Sequence, residues 1–170
     1  MKNDSHFYKL DDGQVLVGQS FPFNPCSETI KGSNISAQVE SCVVNGGTED
    51  CVDFVRGGPY TIRGCTLRAG AKTRTFITAK GGIDGLLVKD VILSGRTKWK
   101  SDIRLGDHTI YNKRKLLKMR DVVIDNVCRD DGKPVRVLVL DCEKPLCVNG
   151  KYKVVRVPKV LVWLFMLIKG

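Results

Sequence analysis

The sequence has no apolar run of the about 20 residues that a membrane-crossing helix needs. Its most apolar stretch, Val160 to Ile168, is too short for that. Met1 to His6 leads into no hydrophobic segment, which excludes a secretory signal peptide and predicts synthesis in a reducing host cytoplasm. No Walker-type glycine loop is present to cradle a nucleotide phosphate, and no serine stands in a nucleophile elbow. Histidine is scarce: there are two, and His6 lies in the N-terminal segment with nothing to suggest a role. The seven cysteines match no metal-ligand spacing, and Cys142 and Cys147 have no histidine near them. Neither a metal nor a cofactor is expected. Helical periodicity is missing throughout.

What is present is a repeat. Glu40-Ser41-Cys42-Val43-Val44-Asn45 has echoes in Arg63-Gly64-Cys65-Thr66-Leu67-Arg68 and Lys89-Asp90-Val91-Ile92-Leu93-Ser94. Two further runs are Arg120-Asp121-Val122-Val123-Ile124-Asp125 and Val157-Pro158-Lys159-Val160-Leu161-Val162. Self-similarity at such spacings means stacked structural units. A second set of runs, Cys51–Val55, Thr75–Ala79, Ser101–Leu105 and Val135–Leu140, lies between them, and Arg56-Gly57-Gly58, Lys80-Gly81-Gly82 and Gly106-Asp107 mark corners. A third face is expected at Thr61-Ile62, Gly85–Val88, Leu116–Met119 and Tyr152–Val155. Alternation along a strand puts Cys42, Cys65, Val91, Val122 and Val160 inside, together with Val44, Leu67, Leu93, Ile124 and Val162. It leaves Val43, Thr66, Ile92, Val123 and Leu161 outside as a stripe that is apolar but for Thr66. Such a stripe is either an interface or lies under a covering segment. Cys42 and Cys65 are expected to stack as reduced, small apolar residues.

Residues 1–32 differ from residues 33–170. Phe7–Leu10, Asp11-Asp12-Gly13 and Gln14–Val17 read as a β-hairpin that caps the column or serves as an arm. Glycine corners and coils that lengthen by insertion resemble the right-handed parallel β-helix, the pectate-lyase-like architecture, over roughly residues 33–165. That resemblance implies an all-β fold of about five short coils. Proteins of this architecture include carbohydrate enzymes and phage tailspike, tail and head-surface proteins. The small coil number and N-terminal arm look more like a virion component than a free enzyme.

The net charge of +10 points to polyanionic partners or to simple solubility. The surplus is concentrated between Arg96 and Arg120. There Arg96, Lys98, Lys100, Arg104, Lys113, Arg114, Lys115, Lys118 and Arg120 are interleaved with Trp99 and Tyr111. Such a segment suits phosphate contacts with stacking on bases or sugars, or forms solvated loops. Asp53, Asp102, Asp107 and His108 are the candidates for acid–base work on a glycosidic bond. Trp163, Leu164, Phe165 and Leu167 in the apolar C-terminal run, with Val43, Ile92, Val123 and Leu161, are candidates for an interface with further copies, a trimer foremost, or with other virion proteins. The primary expectation is a non-enzymatic phage virion protein, located in the virion, with a head-decoration or tail-associated role. The alternatives are a carbohydrate-active enzyme or glycan-binding β-helix, and a nucleic-acid-binding protein using residues 96–120.

Overall fold

The computed structural model describes residues 7–106, 118–140 and 142–158. In chain order its strands are β1 (Tyr8–Lys9), β2 (Gln14–Val17), β3 (Ser20–Phe21), β4 (Ile30–Glu40), β5 (Val43–Asn45), β6 (Asp50–Arg63) and β7 (Thr66–Arg68). They continue as β8 (Thr75–Lys80), β9 (Asp84–Ser94), β10 (Ile103–Leu105), β11 (Arg120–Arg129), β12 (Val135–Val139), β13 (Leu146–Val148) and β14 (Tyr152–Arg156). Among the described residues all strand pairings are parallel and there is no helix, hence none long and apolar enough to cross a membrane. The strands stack as a parallel β-helix of about six turns.

Each turn has three faces. Face A takes β1, the first halves of β4 and β6, then β8, β10, β12 and β14, so that Tyr8, Ile30, Val52, Ile77, Ile103 and Val137 form one row. Face B takes β2, the second halves of β4 and β6, the first halves of β9 and β11, and β13. Face C takes β3, β5, β7 and the second halves of β9 and β11. Strands can run on from one face to the next because a single residue makes the bend between B and C. Gly18, Ser41, Gly64, Asp90, Asn126 and Asn149 all have φ between 51° and 66° there. Asparagine and aspartate tolerate this left-handed conformation better than other non-glycine residues. Their side chains also bridge coils, with Asn126 Nδ2 donating to Asp90 Oδ1 and Asn149 Nδ2 to Asp125 Oδ1, both at 2.7 Å. At the A–B corner, Gly57 and Gly58 take φ of 75° and 115°, and Gly81 and Gly82 take 80° and 77°, as the Gly-Gly pairs predict.

The interior is a continuous apolar column. Leu16, Val39, Ile62, Val88 and Ile124 stack on face B and are buried. Burial of each such side chain contributes about 1.5–3 kcal/mol. Phe54 stacks on Tyr60 with ring centroids 4.1 Å apart, and Gly32 leaves the room they need, since a Cβ there would lie 2.9 Å from the Tyr60 ring. Cys65 lies between Cys42 and Val91 in one row, buried and unbridged, as the repeat predicts. All seven cysteines are free thiols.

Several expectations need correction. β1 and β2 do not pair with each other: Tyr8 pairs with Ile30 and Gln14 with Ala37, both in parallel with β4. Asp11-Asp12-Gly13 is a corner of the first coil instead of a hairpin turn. Gly13 N donates to Ser36 O at 2.8 Å and Asp12 Oδ1 accepts from Ser36 N at 2.8 Å, so the corner is bonded to the coil beneath. The stack therefore starts at Tyr8 and has about six turns, not five. Val122–Ile124 belongs to face B, where it pairs with Leu86–Val88, and Val127–Arg129 is the run that continues face C from Val91–Leu93. Hence Val43 and Ile92 share an outer row with Thr66 and Cys128, whereas Val123 sits in another row between Leu87 and Leu146. Tyr152–Val155 joins face A. Leu161, Trp163, Leu164, Phe165 and Leu167 lie outside the described residues.

Two outcomes follow from this register. In the native protein the exposed Cys26 and Cys128 should react with a thiol reagent within minutes, while the buried Cys42, Cys51 and Cys65 react only on unfolding; mass spectrometry of labelled peptides reads this directly. Cys65→Asp places an unpaired carboxylate in the column and should cost several kcal/mol in a denaturant titration.

Candidate polyanion-binding flank

The connections from face C to face A follow a different rule from the tight bends. They are loops of varied length, and they lie one above another along one flank of the column. The third-turn loop carries Lys72 and Arg74, with Arg68 at the end of β7 before it; the fourth carries Arg96, Lys98 and Lys100; the fifth carries Lys133, with Arg129 at the end of β11 and Arg136 near the start of β12. The B–C bends opposite mix Glu40, Arg63, Lys89, Asp90 and Asp125, and Lys89 and Asp125 neutralise each other at 2.9 Å. Set against Asp102, Asp130 and Asp131 in the same stretches, the basic residues of the loops leave the C–A flank with a positive surplus from the third to the fifth turn.

The loops are built locally and then tied together. Gly70 and Thr73 close a turn, with Thr73 N donating to Gly70 O at 3.1 Å and Gly70 N to Thr73 Oγ1 at 2.9 Å. The buried Thr73 hydroxyl also donates to Gly47 O of the coil above at 2.8 Å. Lys98 N and Trp99 N donate to Thr73 O and Arg74 O, at 2.7 and 3.1 Å, which seats the fourth loop on the third. The Trp99 ring has the guanidinium groups of Arg74 and Arg104 at 5.5 and 5.2 Å from its centroid. At the other end of the flank Asp130-Asp131-Gly132 forms a turn closed by Gly132 N to Arg129 O, 3.1 Å, with Gly132 at φ 69°.

Asp102 organises the lower part. Its carboxylate is wholly buried. It accepts from Arg129 Nη1 at 2.7 Å, from Arg136 Nη2 at 2.7 Å and Nε at 3.1 Å, and from the Arg136 backbone N at 2.9 Å. Arg136 Nη2 also reaches Thr97 Oγ1 at 3.0 Å, and Arg129 Nη2 reaches Gly95 O at 2.8 Å. Two arginines are therefore held rigidly by one buried anion, a geometry that charge-assisted bidentate bonds favour. Arg129 also holds the Asp131 carboxyl far below the ordinary carboxylate range, chiefly through its hydrogen bonds. A cleft of about 640 Å³ opens beside this cluster, lined among others by Arg96, Asp130, Lys133, Arg136 and Lys153. A second of about 510 Å³ lies beside the third-turn loop, lined among others by Phe23, Arg68, Gly70 and Lys72. Among the described residues, Arg68, Lys72, Arg96 and Lys153 take part in no ion pair.

The basic segment expected from the sequence is thus divided. Arg96, Lys98, Trp99 and Lys100 are on this flank, and Arg104 is largely buried on face A beside Trp99. Lys118 pairs with Glu143 at 2.9 Å and Arg120 lies in register with Asp84, both at the A–B corner away from the flank. Asp107, His108, Tyr111, Lys113, Arg114 and Lys115 lie outside the described residues. Sequence reasoning misses Arg68, Lys72, Arg129, Lys133, Arg136 and Lys153, which are scattered along the chain and meet only because the coils stack.

Nor do the candidate carboxylates assemble as expected. Asp53 pairs in register with Thr78, and Thr78 with Arg104, so Asp53 and Asp102 are two strands apart and do not face each other. Asp53 lies instead between Lys80 and Lys31, at 3.1 and 3.8 Å, and burial raises its pKa despite them. Its Oδ1 has no hydrogen-bond partner in its buried position. Burial pushes the neighbouring Asp50 up to about 6, opposed by the Thr75 hydroxyl that donates to it. No group of three or more histidine, cysteine or acidic side chains among the described residues is placed to hold a metal. Comparison with known protein families, with curated proteins and with solved structures finds no match to this chain.

These buried charges have measurable consequences. Because the folded state binds the Asp50 proton more tightly than the unfolded chain, with its ordinary 3.8, the ionised group destabilises the fold above pH 6. Stability should rise as pH falls from about 6.5 towards 4, by up to about 3 kcal/mol from this group. Asp50→Asn should stabilise the protein at pH 7.5 and flatten that part of the profile, as measured by urea titrations at each pH. Arg129→Met leaves Asp102 with a single cation and should cost about 3–5 kcal/mol.

Proposed function

We propose that this chain is a non-enzymatic docking protein, a structural component of a phage virion, which uses a rigid β-helix to present one cationic flank to an anionic partner. The observation that carries the reading is the anchoring of the partly exposed Arg136 on the wholly buried Asp102, which the buried Arg129 also binds, beside the unpaired Arg96 and Lys153. Cations held in place lose little side-chain freedom on binding, so more of the interaction energy is realised as affinity. The virion setting rests on the likeness of a short, helix-free coil stack to the head-surface and tail proteins of phages. A non-catalytic role draws on the state of Asp53 and Asp102, the two candidate carboxylates among the described residues. Glycosidic cleavage needs two of them free and about 5–10 Å apart across the substrate. Asp102 has its oxygens occupied by arginine, and Asp53 is buried between lysines.

The test is charge reversal at exposed, unpaired positions. The variant carrying Arg68→Glu, Lys72→Glu, Arg96→Glu and Lys153→Glu should fold normally, since such surface changes usually stay within about 0.5 kcal/mol each. It should elute from immobilised heparin at much lower salt than the wild type. With a nucleic acid as the probe, the slope of log affinity against log salt should shrink by about 0.7–0.9 for each phosphate that the variant no longer neutralises. Equal retention of variant and wild type would refute docking through this flank.

A further inference from the structure

The upper part of the flank holds two aromatic rings that the interior does not use. Phe23 follows β3 in the first turn and is 44% exposed, and Trp99 in the fourth-turn loop is 38% exposed. Both are large aromatic rings left open beside the apolar column. The fold places both against the same short loop. Phe23 lies on Gly70, where an added Cβ would come within 3.0 Å of its ring carbons, and Trp99 takes the guanidinium of Arg74 against its ring. The loop between them, residues 70–74, carries Lys72, exposed and unpaired, and is preceded by the equally exposed Arg68. Phe23, Arg68, Gly70 and Lys72 also line the cleft of about 510 Å³. The local order is therefore an aromatic ring, two free cations, and a second aromatic ring flanked by arginines.

That order has a chemical meaning. A sulfated or carboxylated polymer is held chiefly by the cations, and its hydrated, charged sugar rings stack on an aromatic face less well than a planar base does. A double helix keeps its base faces stacked inside and offers none of them to an aromatic side chain. A single-stranded nucleic acid presents both, a phosphate in each repeat and an aromatic base beside it. Stacking of a base on an aromatic side chain contributes about 1–3 kcal/mol and is indifferent to sequence. Neighbouring strands stand about 4.8 Å apart, so the coils that carry the two rings and the intervening cations span a stretch of two to three nucleotides at roughly the spacing of an extended strand.

We propose that the third- and fourth-turn loops form a binding site for single-stranded nucleic acid, with Arg68 and Lys72 on phosphates and Phe23 and Trp99 as stacking surfaces for bases. The proposal rests on the cationic flank being a docking surface and adds the identity of what docks. It is tested by fluorescence anisotropy with a labelled oligothymidylate of about 12 nucleotides, within the usual site sizes of such surfaces. A duplex of equal length and heparin serve as competitors. The expected result is that the single strand binds more tightly than the duplex at equal salt. Phe23→Ala and Trp99→Ala should each weaken the single strand by about 5- to 100-fold and leave heparin affinity within about twofold. Trp99→Phe should restore most of the loss. Circular dichroism and thermal melting confirm that each variant is folded; if Phe23→Ala melts early, Phe23→Leu, which keeps the packing on Gly70 without the aromatic face, takes its place.

Two results would overturn the proposal while leaving polyanion docking intact: unchanged oligonucleotide affinity in the aromatic variants, or a parallel loss of heparin binding that marks a general disturbance of the loop. Tight heparin binding with no oligonucleotide binding would do the same. Failure to bind any of the three probes would overturn both readings together.

Discussion

The in-register parallel hydrogen-bond ladder is the constraint on which everything else in this molecule depends. Each strand satisfies its backbone through the coil above and the coil below, and even the bends join in: Gly18, Ser41 and Gly64 donate their N–H groups to Glu40, Arg63 and Lys89 of the next coil. A coil cannot shift along its neighbour without breaking three faces at once. It also cannot bend freely, which is why the one-residue corners are held by glycine, serine, aspartate or asparagine in a left-handed conformation. The apolar column follows from this register, because pairing like positions places Leu16 on Val39, Val39 on Ile62 and Ile62 on Val88.

The same register keeps length variation out of the B–C bends and leaves it to the A–B connections, such as those from β10 to β11 and from β12 to β13, and to the C–A connections. The B–C bend is one residue in every coil and tolerates no insertion without displacing the next strand. The C–A connection has no such limit, since it leaves the column and returns. Loops are where backbone polar groups can meet water and where binding residues accumulate on a rigid scaffold. Here they gather cations from the third to the fifth turn, and the stack converts loops far apart in sequence into one surface. Their mutual repulsion is limited by Glu49 on Arg74 and by Asp131 and Asp102 on Arg129. Asp102 costs desolvation energy in its wholly buried position, and its value lies in fixing the direction of two guanidinium groups.

The flank and the carboxylates near Asp53 contrast in this respect. Asp102 has its charge met by arginines with full hydrogen bonding. Asp53 has two lysines near one oxygen and nothing on the other, and Asp50 depends on the threonine hydroxyls of Thr75 and Thr78. The first arrangement fixes the buried Arg129 and the partly exposed Arg136 at the foot of the cationic flank. The second holds ionised groups in a poorly solvated place and ties the stability of the column to pH.

Much of the architecture was written in local sequence. Glycine pairs at 57–58 and 81–82, β-branched runs of three, and the equivalence of Cys42 with Cys65 are short-range signals, and they sufficed for an all-β parallel stack and for the buried thiols. Face membership was less legible. Val122–Ile124 and Val127–Arg129 both look like the repeat, and only the pairing with Leu86–Val88 and Val91–Leu93 distinguishes them. Asp11-Asp12-Gly13 has the composition of a hairpin turn, and its bonds to Ser36 across the coil made it a corner. The cationic flank was the least legible of all. A run of basic residues from 96 to 120 is visible in one dimension, but the stack sends Lys118 and Arg120 to another corner and brings Arg68, Lys72, Arg129, Arg136 and Lys153 to the flank. Local sequence determined that the chain would coil, because strand and corner propensities act over a few residues. Which charges and rings would stand together was decided by the tertiary structure alone, because neighbours across coils lie some two dozen residues or more apart in the chain and are set by register.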